Sequence, residues 1–389
     1  MGPVDKMKCL IVFGTRPEAI KMAPLVHEFS DDPSIDCKVI VTGQHREMLD
    51  QVLQLFEIIP DHDLNIMSDV RALTDVVPLI ITALAPILDD VRPDFILVHG
   101  DTATTLAASL AAYYKKIRIC HIEAGLRTQD LYSPWPEEGN RKLVSAITAL
   151  HFAPTKSSRL NLINEGVKEE NVFVVGNTVI DALLNTVKRS QKQALLPNFI
   201  ETYYPKINMS KRIILVTGHR RENFGFGFIQ ICEALLQIAK KNRDVEIVYP
   251  VHLNPNVREP VLKILSHQEN IHLIEPLTYQ LFVELMAQSC IILTDSGGIQ
   301  EEAPSLNKPV LLMRNTTERP EAVNVGTVKL VGANTERIVE ETNRLLTNKE
   351  AYRDMACRKN PYGNGASSSL IKTILKRKFD ENKRITHNE

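Results

Sequence analysis

Twelve short, nearly continuous runs of Val, Ile and Leu, most followed by a polar turn and a helix-like stretch, constrain this chain more than any other feature. In the first half the runs are Lys8–Phe13, Lys38–Thr42, Phe95–His99, Ile117–Ile122, Leu150–Ala153 and Val172–Val175. In the second half they are Arg212–Thr217, Val245–Pro250, Ile271–Ile274, Cys290–Thr294, Pro309–Met313 and Thr327–Val331. Runs without polar alternation are what parallel strands buried on both faces require. Helical patterns such as Arg46–Phe56, Leu73–Asp89, Thr105–Tyr114, Phe228–Lys241, Leu277–Ala287 and Glu336–Leu346 supply the crossovers. The pattern predicts an α/β chain of two Rossmann-like, doubly wound domains facing a cleft. We place these domains at residues 7–176 and 177–366, with helix 367–380 packing back on the first. A charged tail frays from Asp380. The richest apolar run, Val76 to Leu88, contains two prolines and reads as a buried helix. It falls short of the ~18 apolar residues needed to span a bilayer. Met1 to Lys6 are set aside from fold reasoning.

In open α/β sheets, ligands bind beyond the carboxyl ends of the strands. The polar residues after each run are therefore the candidate site. They are Gly14-Thr15-Arg16-Pro17-Glu18 with Lys21, Gly43-Gln44-His45-Arg46, His99-Gly100-Asp101-Thr102, and Glu123 to Arg127 followed by Glu137-Glu138. The second half adds Gly218 to Glu222, His252, and Arg314 to Arg319. So many cations at strand ends make a cradle for a diphosphate, against the plainer reading of solvated surface charge. The stretch Thr294-Asp295-Ser296-Gly297-Gly298 couples a strand to a helix through two glycines. Such a loop lets the backbone approach an anion at a helix N-terminus, though it is also an ordinary βα turn. Ser296 adds a hydroxyl, and Glu302 stands about one turn on, where a carboxylate can bind sugar hydroxyls. Asp101, Glu123 and Glu137 are carboxylates at or near strand ends, and charge there needs a reason. The plainer role for Asp101 is a helix N-cap.

The chain has 389 residues, 44% hydrophobic and 24% charged, as in a globular protein. A net charge of −1 argues against nucleic acid or an anionic membrane as the main partner. Six cysteines are scattered without a C-x-x-C, and Cys9, Cys120 and Cys290 fall in strand-like runs. They read as buried thiols in a reducing, cytoplasmic setting. No complete G-x-G-x-x-G or P-loop is present, Gly225-Phe226-Gly227 being only a fragment, so no nicotinamide cofactor is expected. No metal-ligand spacing occurs, and His45, His62, His121 and His151 read as structural.

The motifs FGTRPEAIKMAPL, TGQHREMLDQV, HGDTATT, HIEAGLRT, YSPWPEEGNR, GNTVIDAL, TGHRREN, YPVHLNPNVREP, TDSGGIQEEAPSL and TTERPEAV are long and collinear from about Lys8 to Gly363. Together they resemble the bacterial non-hydrolysing UDP-N-acetylglucosamine 2-epimerases. The resemblance implies a fold like the GT-B glycosyltransferases, a homodimer, and no cofactor or metal. It implies interconversion of UDP-GlcNAc and UDP-ManNAc, supplying ManNAc-derived sugars for surface polysaccharides. The implied path is elimination of UDP to 2-acetamidoglucal and re-addition with inversion at C2. Carried over by motif, Asp101, Glu123 and Glu137 form the acid/base set, and Arg16, Lys21 and His219 serve the diphosphate. Ser296, Gly297, Gly298, Glu302 and Arg319 match the UDP-binding positions. Phe282 is a candidate to stack on uracil, or a helix core residue. Gln44, Glu47, Arg220 and His252 match the positions of an activator site, with Arg71 a further candidate. Gly139, in PEEGN, stands where relatives often carry Ala or Met, which leaves Glu137 in place but loosens that loop.

Within enzymes, a hydrolysing epimerase releasing ManNAc and UDP shares the chemistry up to the glycal. A glycosyltransferase shares the fold but does not exchange the C2 hydrogen. From another class, a nucleotide-sugar-binding regulator would bind UDP without turnover, which retention of three carboxylates argues against.

Overall fold

A computed structural model describes residues 6–44, 46–68, 70–193 and 195–386. Of the candidate segments, His45 lies outside the described residues, as does Asp69 beside Arg71. The strands are β1 (Met7–Phe13), β2 (Ile35–Val41), β3 (His62–Asp63), β4 (Phe95–His99), β5 (Arg118–Ile122), β6 (Leu150–Ala153), β7 (Val172–Val174), β8 (Arg212–Thr217), β9 (Val245–Pro250), β10 (Ile271–Ile274), β11 (Ile291–Thr294), β12 (Val310–Leu312) and β13 (Val328–Leu330). The helices are α1 (Arg16–Ser30), α2 (Arg46–Leu55), α3 (Leu73–Val91), α4 (Ala103–Tyr114), α5 (Glu137–Ile147), α6 (Lys156–Asn164), α7 (Thr178–Gln193), α8 (Leu195–Tyr203), α9 (Phe226–Lys241), α10 (Pro255–Leu265), α11 (Tyr279–Gln288), α12 (Gly297–Glu302), α13 (Pro320–Val325), α14 (Thr335–Thr347), α15 (Lys349–Ala356) and α16 (Ser367–Thr386).

The chain divides into two units, residues 1–182 with 362–389, and residues 183–361, the division falling within α7. Unit 1 holds a parallel sheet in the order β3-β2-β1-β4-β5-β6-β7. Unit 2 holds a parallel sheet in the order β10-β9-β8-β11-β12-β13. Each order reverses once, between β1 and β4 and between β8 and β11. Loops that diverge at such a switch point open a crevice at the strand ends, where polar residues gather.

Burial explains the near-continuous apolar runs. All five residues of β4 are buried, and helices cover both faces of the sheet. Around β1 and β4, Leu10, Val12, Ile96 and Val98 pack with Ala108 and Ala112 of α4, whose small side chains let that helix approach closely. In unit 2, Phe228, Ile231, Leu235 and Ile238 of α9 pack on Ile247 and Tyr249, all fully buried. Each such large apolar side chain contributes about 1.5–3 kcal/mol by leaving water.

The structure corrects three expectations. Helix α3 is not buried all round: Val76, Ile80, Leu84 and Leu88 alone are buried, an i, i+4 stripe, while Leu73 is 54% exposed. The chain does not fray from Asp380, because α16 continues to Thr386. Before that point Lys372 and Lys376 dock the helix by pairing with Glu28 (2.7 Å) and Asp32 (2.9 Å) near the end of α1, and Lys378 pairs with Glu381 (2.9 Å) where the tail begins. Gly139 sits inside α5, not in a loop. Among the described residues, no helix is long and apolar enough to cross a membrane.

Candidate active site

Unit 1 gathers its candidates on the loops after β1, β4 and β5. The first loop is built around Glu18, which is 2% exposed. Its Oε2 accepts from the N–H of Gly14 (3.0 Å) and Thr15 (2.8 Å), and Thr15 in turn caps α1, a reciprocal capping box. Its Oε1 accepts from the Thr102 hydroxyl (2.6 Å) at the start of α4, so one carboxylate ties two strand-end loops together. Gly14 is demanded by space, since a Cβ there would fall 2.0 Å from Thr42 Oγ1. Arg16 opens α1, and Lys21 lies further along the same helix.

Lys21 Nζ meets Glu123 Oε2 at 2.5 Å, and Asn177 Nδ2 donates to the same oxygen at 2.7 Å. His99 Nε2 stands 3.7 Å away, an ionic rather than a hydrogen-bonding distance. Burial alone would raise the Glu123 carboxyl, but the charge on Lys21 and the His99 ring outweighs it and holds the group well below the usual carboxylate range. Glu123 also adopts φ +60°, a left-handed conformation that costs a non-glycine residue about 1–2 kcal/mol and gathers at functional sites.

Asp101 is in a different environment. Thr102, not Asp101, caps α4, so the N-cap role is excluded. Arg141 instead pairs with Asp101 Oδ2 through Nη2 (2.6 Å) and Nε (2.8 Å). The third donor of the same guanidinium, Nη1, meets buried Glu138 at 2.9 Å. Helix spacing makes this possible, because residues 138 and 141 share a face of α5. Glu137 begins α5, where the helix dipole favours a carboxylate. Its Oε2 is buried and has no hydrogen-bond partner. An unpartnered buried acceptor is costly, and it is the natural place for a substrate proton or hydroxyl. The three carboxylates thus have three environments: cation-paired and strained, arginine-paired, and unpartnered. Gln44 is half-buried after β2, Glu47 is exposed on α2, and Arg71 is exposed before α3.

Unit 2 builds its candidates around Asp295, which is fully buried at the end of β11. Asp295 accepts from the backbone N–H of His219 (3.0 Å) and Arg220 (2.9 Å) and from Asn223 Nδ2 (3.2 Å). His219 Nδ1 lies 3.4 Å from the other Asp295 oxygen. Burial lowers the His219 pKa, only partly countered by the Asp295 charge, so the ring is neutral near pH 7. The His252 ring stacks on His219 at 5.8 Å, and His252 Nδ1 accepts from the Asn254 N–H. Arg220 comes close to the glycine loop: a Cβ on Gly297 would stand 3.5 Å from its Nη2, and Arg220 Nε is buried without a partner. Arg319 approaches the same glycine and pairs with Glu301. Ser296 caps α12 by position, without a side-chain hydrogen bond. Glu302 Oε1 accepts from the Tyr279 hydroxyl at 3.2 Å, which joins α11 to α12. Phe282, one turn beyond Tyr279, is half-buried. Among the described residues, no three His, Cys, Asp or Glu side chains gather as a metal would need.

Several participants were not singled out from sequence. Arg141, Asn177, Tyr279 and Asp295 all lie inside the motifs or near them, yet their partners are distant in the chain. For Asp295 a signal was available: a carboxylate at the end of an apolar strand, directly before the glycine loop.

The profile of the family described as UDP-N-acetylglucosamine 2-epimerase matches residues 27–376. The chain belongs to the UDP-N-acetylglucosamine 2-epimerase family. It is 58% identical over 370 residues to a Salmonella typhimurium UDP-N-acetylglucosamine 2-epimerase, covering 95% of this chain and 98% of the relative. A Campylobacter jejuni relative of the same name is 52% identical over 380 residues, covering 96% and 99%. The crystal structure of UDP-GlcNAc 2-epimerase from Neisseria meningitidis bound to UDP-GlcNAc is 54% identical, with a TM-score of 0.85 over 95% of this chain and 100% of that one. Like other members of the UDP-N-acetylglucosamine 2-epimerase family, the chain has two Rossmann-like α/β domains in a GT-B-like fold.

Proposed function

We propose that this chain interconverts UDP-GlcNAc and UDP-ManNAc without hydrolysis. The observation that carries the reading is the trio Asp101, Glu123 and Glu137, three carboxylates held in three different environments in unit 1. Acid and base roles require titratable groups whose surroundings differ. The relatives' names and the substrate bound in the Neisseria structure supply the identity of the sugar nucleotide.

The sugar's C2 proton is not acidic while UDP remains attached. As the C1–O bond to UDP breaks, positive charge grows at C1 and the C2–H bond weakens. A carboxylate takes the proton, a C1=C2 double bond forms, and UDP leaves with the bonding pair. Return of a proton to the opposite face, with re-addition of UDP at C1, gives the C2 epimer. Paired and unpaired carboxylates serve the two proton transfers. Arg16, Lys21 and neutral His219 serve the departing diphosphate, and Arg319, Ser296, Gly297, Gly298 and Glu302 hold the nucleotide, with Phe282 offered to the base. Gln44, Glu47, Arg71, Arg220 and His252 remain the proposed positions for an activating second nucleotide sugar. The proposal includes a cytoplasmic homodimer supplying ManNAc for surface polysaccharide. Support for the dimer comes from α3, a largely apolar helix that buries only one stripe.

The test is proton NMR of UDP-GlcNAc with the protein in D2O, without added cofactor. UDP-ManNAc carrying deuterium at C2 is expected. Glu137→Gln should slow its appearance about 10²–10⁴-fold. Free UDP with ManNAc would replace the reading with a hydrolysing enzyme, and an unchanged spectrum with UDP bound would replace it with a binding protein.

A further inference from the structure

At the opposite end of the unit 1 sheet from Asp101 and Glu123, a cavity of about 530 Å³ opens among the first residues of β1, β4 and β5 and the last turns of α16. Its size is that of a small-ligand site, about 300–1,000 Å³. Lys6, Lys8, Arg92, Lys116, Arg118 and Lys383 line it, against a single acid, Asp94. That acid is engaged by β1, where the Lys8 N–H donates to its Oδ2 at 2.8 Å. The imbalance is local, because the whole chain carries a net charge of −1.

Four of the cations have an ordinary explanation. Arg92 and Lys116 follow the C-termini of α3 and α4, Lys8 Nζ donates to the Val91 carbonyl at the end of α3 (3.4 Å), and Lys383 lies in the last turn of α16, all places where positive charge offsets a helix dipole. That account does not reach Arg118 on β5 or Lys6 before β1. Arg118 is the most telling, since its Nη1 is buried and has no hydrogen-bond partner. An unsatisfied guanidinium nitrogen in a cationic cavity is the donor an anion would engage. Glu381, whose charge is felt at Arg118, is exposed and already paired with Lys378 at 2.9 Å.

The aromatic residues narrow the ligand. Arg118 covers the Phe95 ring at 5.2 Å from its centroid, and Lys383 covers Phe379 at 4.4 Å. With a cation over each ring, neither offers that face to a nucleobase, whereas the cations themselves line the cavity. We propose that this cavity is a binding site for a compact polyphosphate anion, separate from the candidate active site.

The experiment is calorimetric titration of tripolyphosphate into the full-length protein at low salt, with excess UDP present. One saturable site per chain is expected, weakening as salt is added. Lys6→Glu and Lys116→Glu alter exposed side chains and should each weaken binding about tenfold, leaving UDP-GlcNAc turnover unchanged. Arg118→Gln should weaken it further. Equal affinity in the wild type and both charge-reversal variants would overturn the proposal. So would displacement of tripolyphosphate by UDP, or orthophosphate binding as tightly as tripolyphosphate. The charge-reversal comparison stands whether or not the chain proves to be an epimerase.

Discussion

Asp295 has no exposure to solvent and directs its carboxylate at the loop that carries His219. Asn at this position keeps the shape, and its amide oxygen can take the Oδ2 place that accepts all three donors, but the charge that strengthens those bonds is lost and the NH2 group faces the His219 N–H that Oδ1 now also accepts from. Hydrogen bonds to a charged acceptor contribute about 1.5–3 kcal/mol each, so Asp295→Asn should lower stability by a similar amount. The larger effect is expected on rate. Displacing a catalytic group by about 1 Å costs on the order of a hundredfold, so kcat measured well below the melting temperature should fall by about that factor. A variant with lowered stability and unchanged kcat would reduce Asp295 to a structural role. A second residue-scale prediction concerns His121 and His151, register partners on β5 and β6. Burial pushes His121 down from 6.5 to about 4 and His151 to about 3. His121 Nε2–H donates to the Gly100 carbonyl at 2.7 Å, so the neutral ring is the form the fold holds. Unfolded histidine binds a proton below about pH 6.5, while these folded rings do not. Their stabilisation is therefore complete above that pH and is lost as pH falls toward the folded values, on the order of 3 kcal/mol for His121. Glu123, with its folded pKa below the unfolded value, adds to the loss only below about pH 4.3. Protection factors of β5 and β6 amides, which divide out the intrinsic pH dependence of exchange, should fall between pH 7 and 4.5 in the wild type. Glu123→Gln should leave that fall intact, and His151→Asn should reduce it.

Helix α5 presents Glu137, Glu138, Asn140 and Arg141 within its first two turns, yet it includes Gly139. A Cβ at Gly139 meets nothing within 4 Å, and the backbone there is not left-handed. Glycine inside a helix is about 0.5–1 kcal/mol less stable than alanine. Gly139→Ala should therefore raise stability by about that amount, with epimerase activity retained, as read by urea unfolding and by the NMR assay. A destabilised variant would mean that α5 needs a bend at this point. At the same scale, legibility in the sequence follows from physics. Strands β4, β8 and β9 match their apolar runs residue for residue, because burial on both faces favours continuous apolar runs; Glu246 in β9 is the one buried acid among them, paired with Lys211 and His272. Strand β3 could not be read, since His62-Asp63 is two polar residues at a sheet edge. The strand-end loops were legible as polar breaks after those runs. Their partners were not: Arg141 reaches Asp101 across 40 residues, and Lys21 reaches Glu123 across 102, pairings that no local pattern encodes. The end of α16 was misjudged because Asp380 to Thr386 is charged yet stays helical, with Glu381 paired to Lys378 one turn earlier.

Taken as a whole, the molecule divides its candidate chemistry between two units, each with its own parallel sheet and core. The three carboxylates belong to unit 1, while the glycine loop, His219, Arg319 and Glu302 belong to unit 2. Binding and proton transfer should therefore separate under mutation. In unit 2, Glu302→Ala removes the acceptor that Tyr279 orients, and UDP affinity should fall about tenfold, equivalent to about 1.4 kcal/mol. In unit 1, Glu137→Gln leaves the nucleotide residues untouched, so the UDP dissociation constant should change little while kcat falls by orders of magnitude. Glu123→Gln removes the charge opposite Lys21, a partly buried pair, and some loss of stability accompanies the loss of rate. Calorimetry with UDP alone, set beside turnover of UDP-GlcNAc, separates the two effects. If Glu137→Gln abolished UDP binding as well as turnover, Glu137 would be holding the nucleotide, and its assignment to proton transfer would have to be given up.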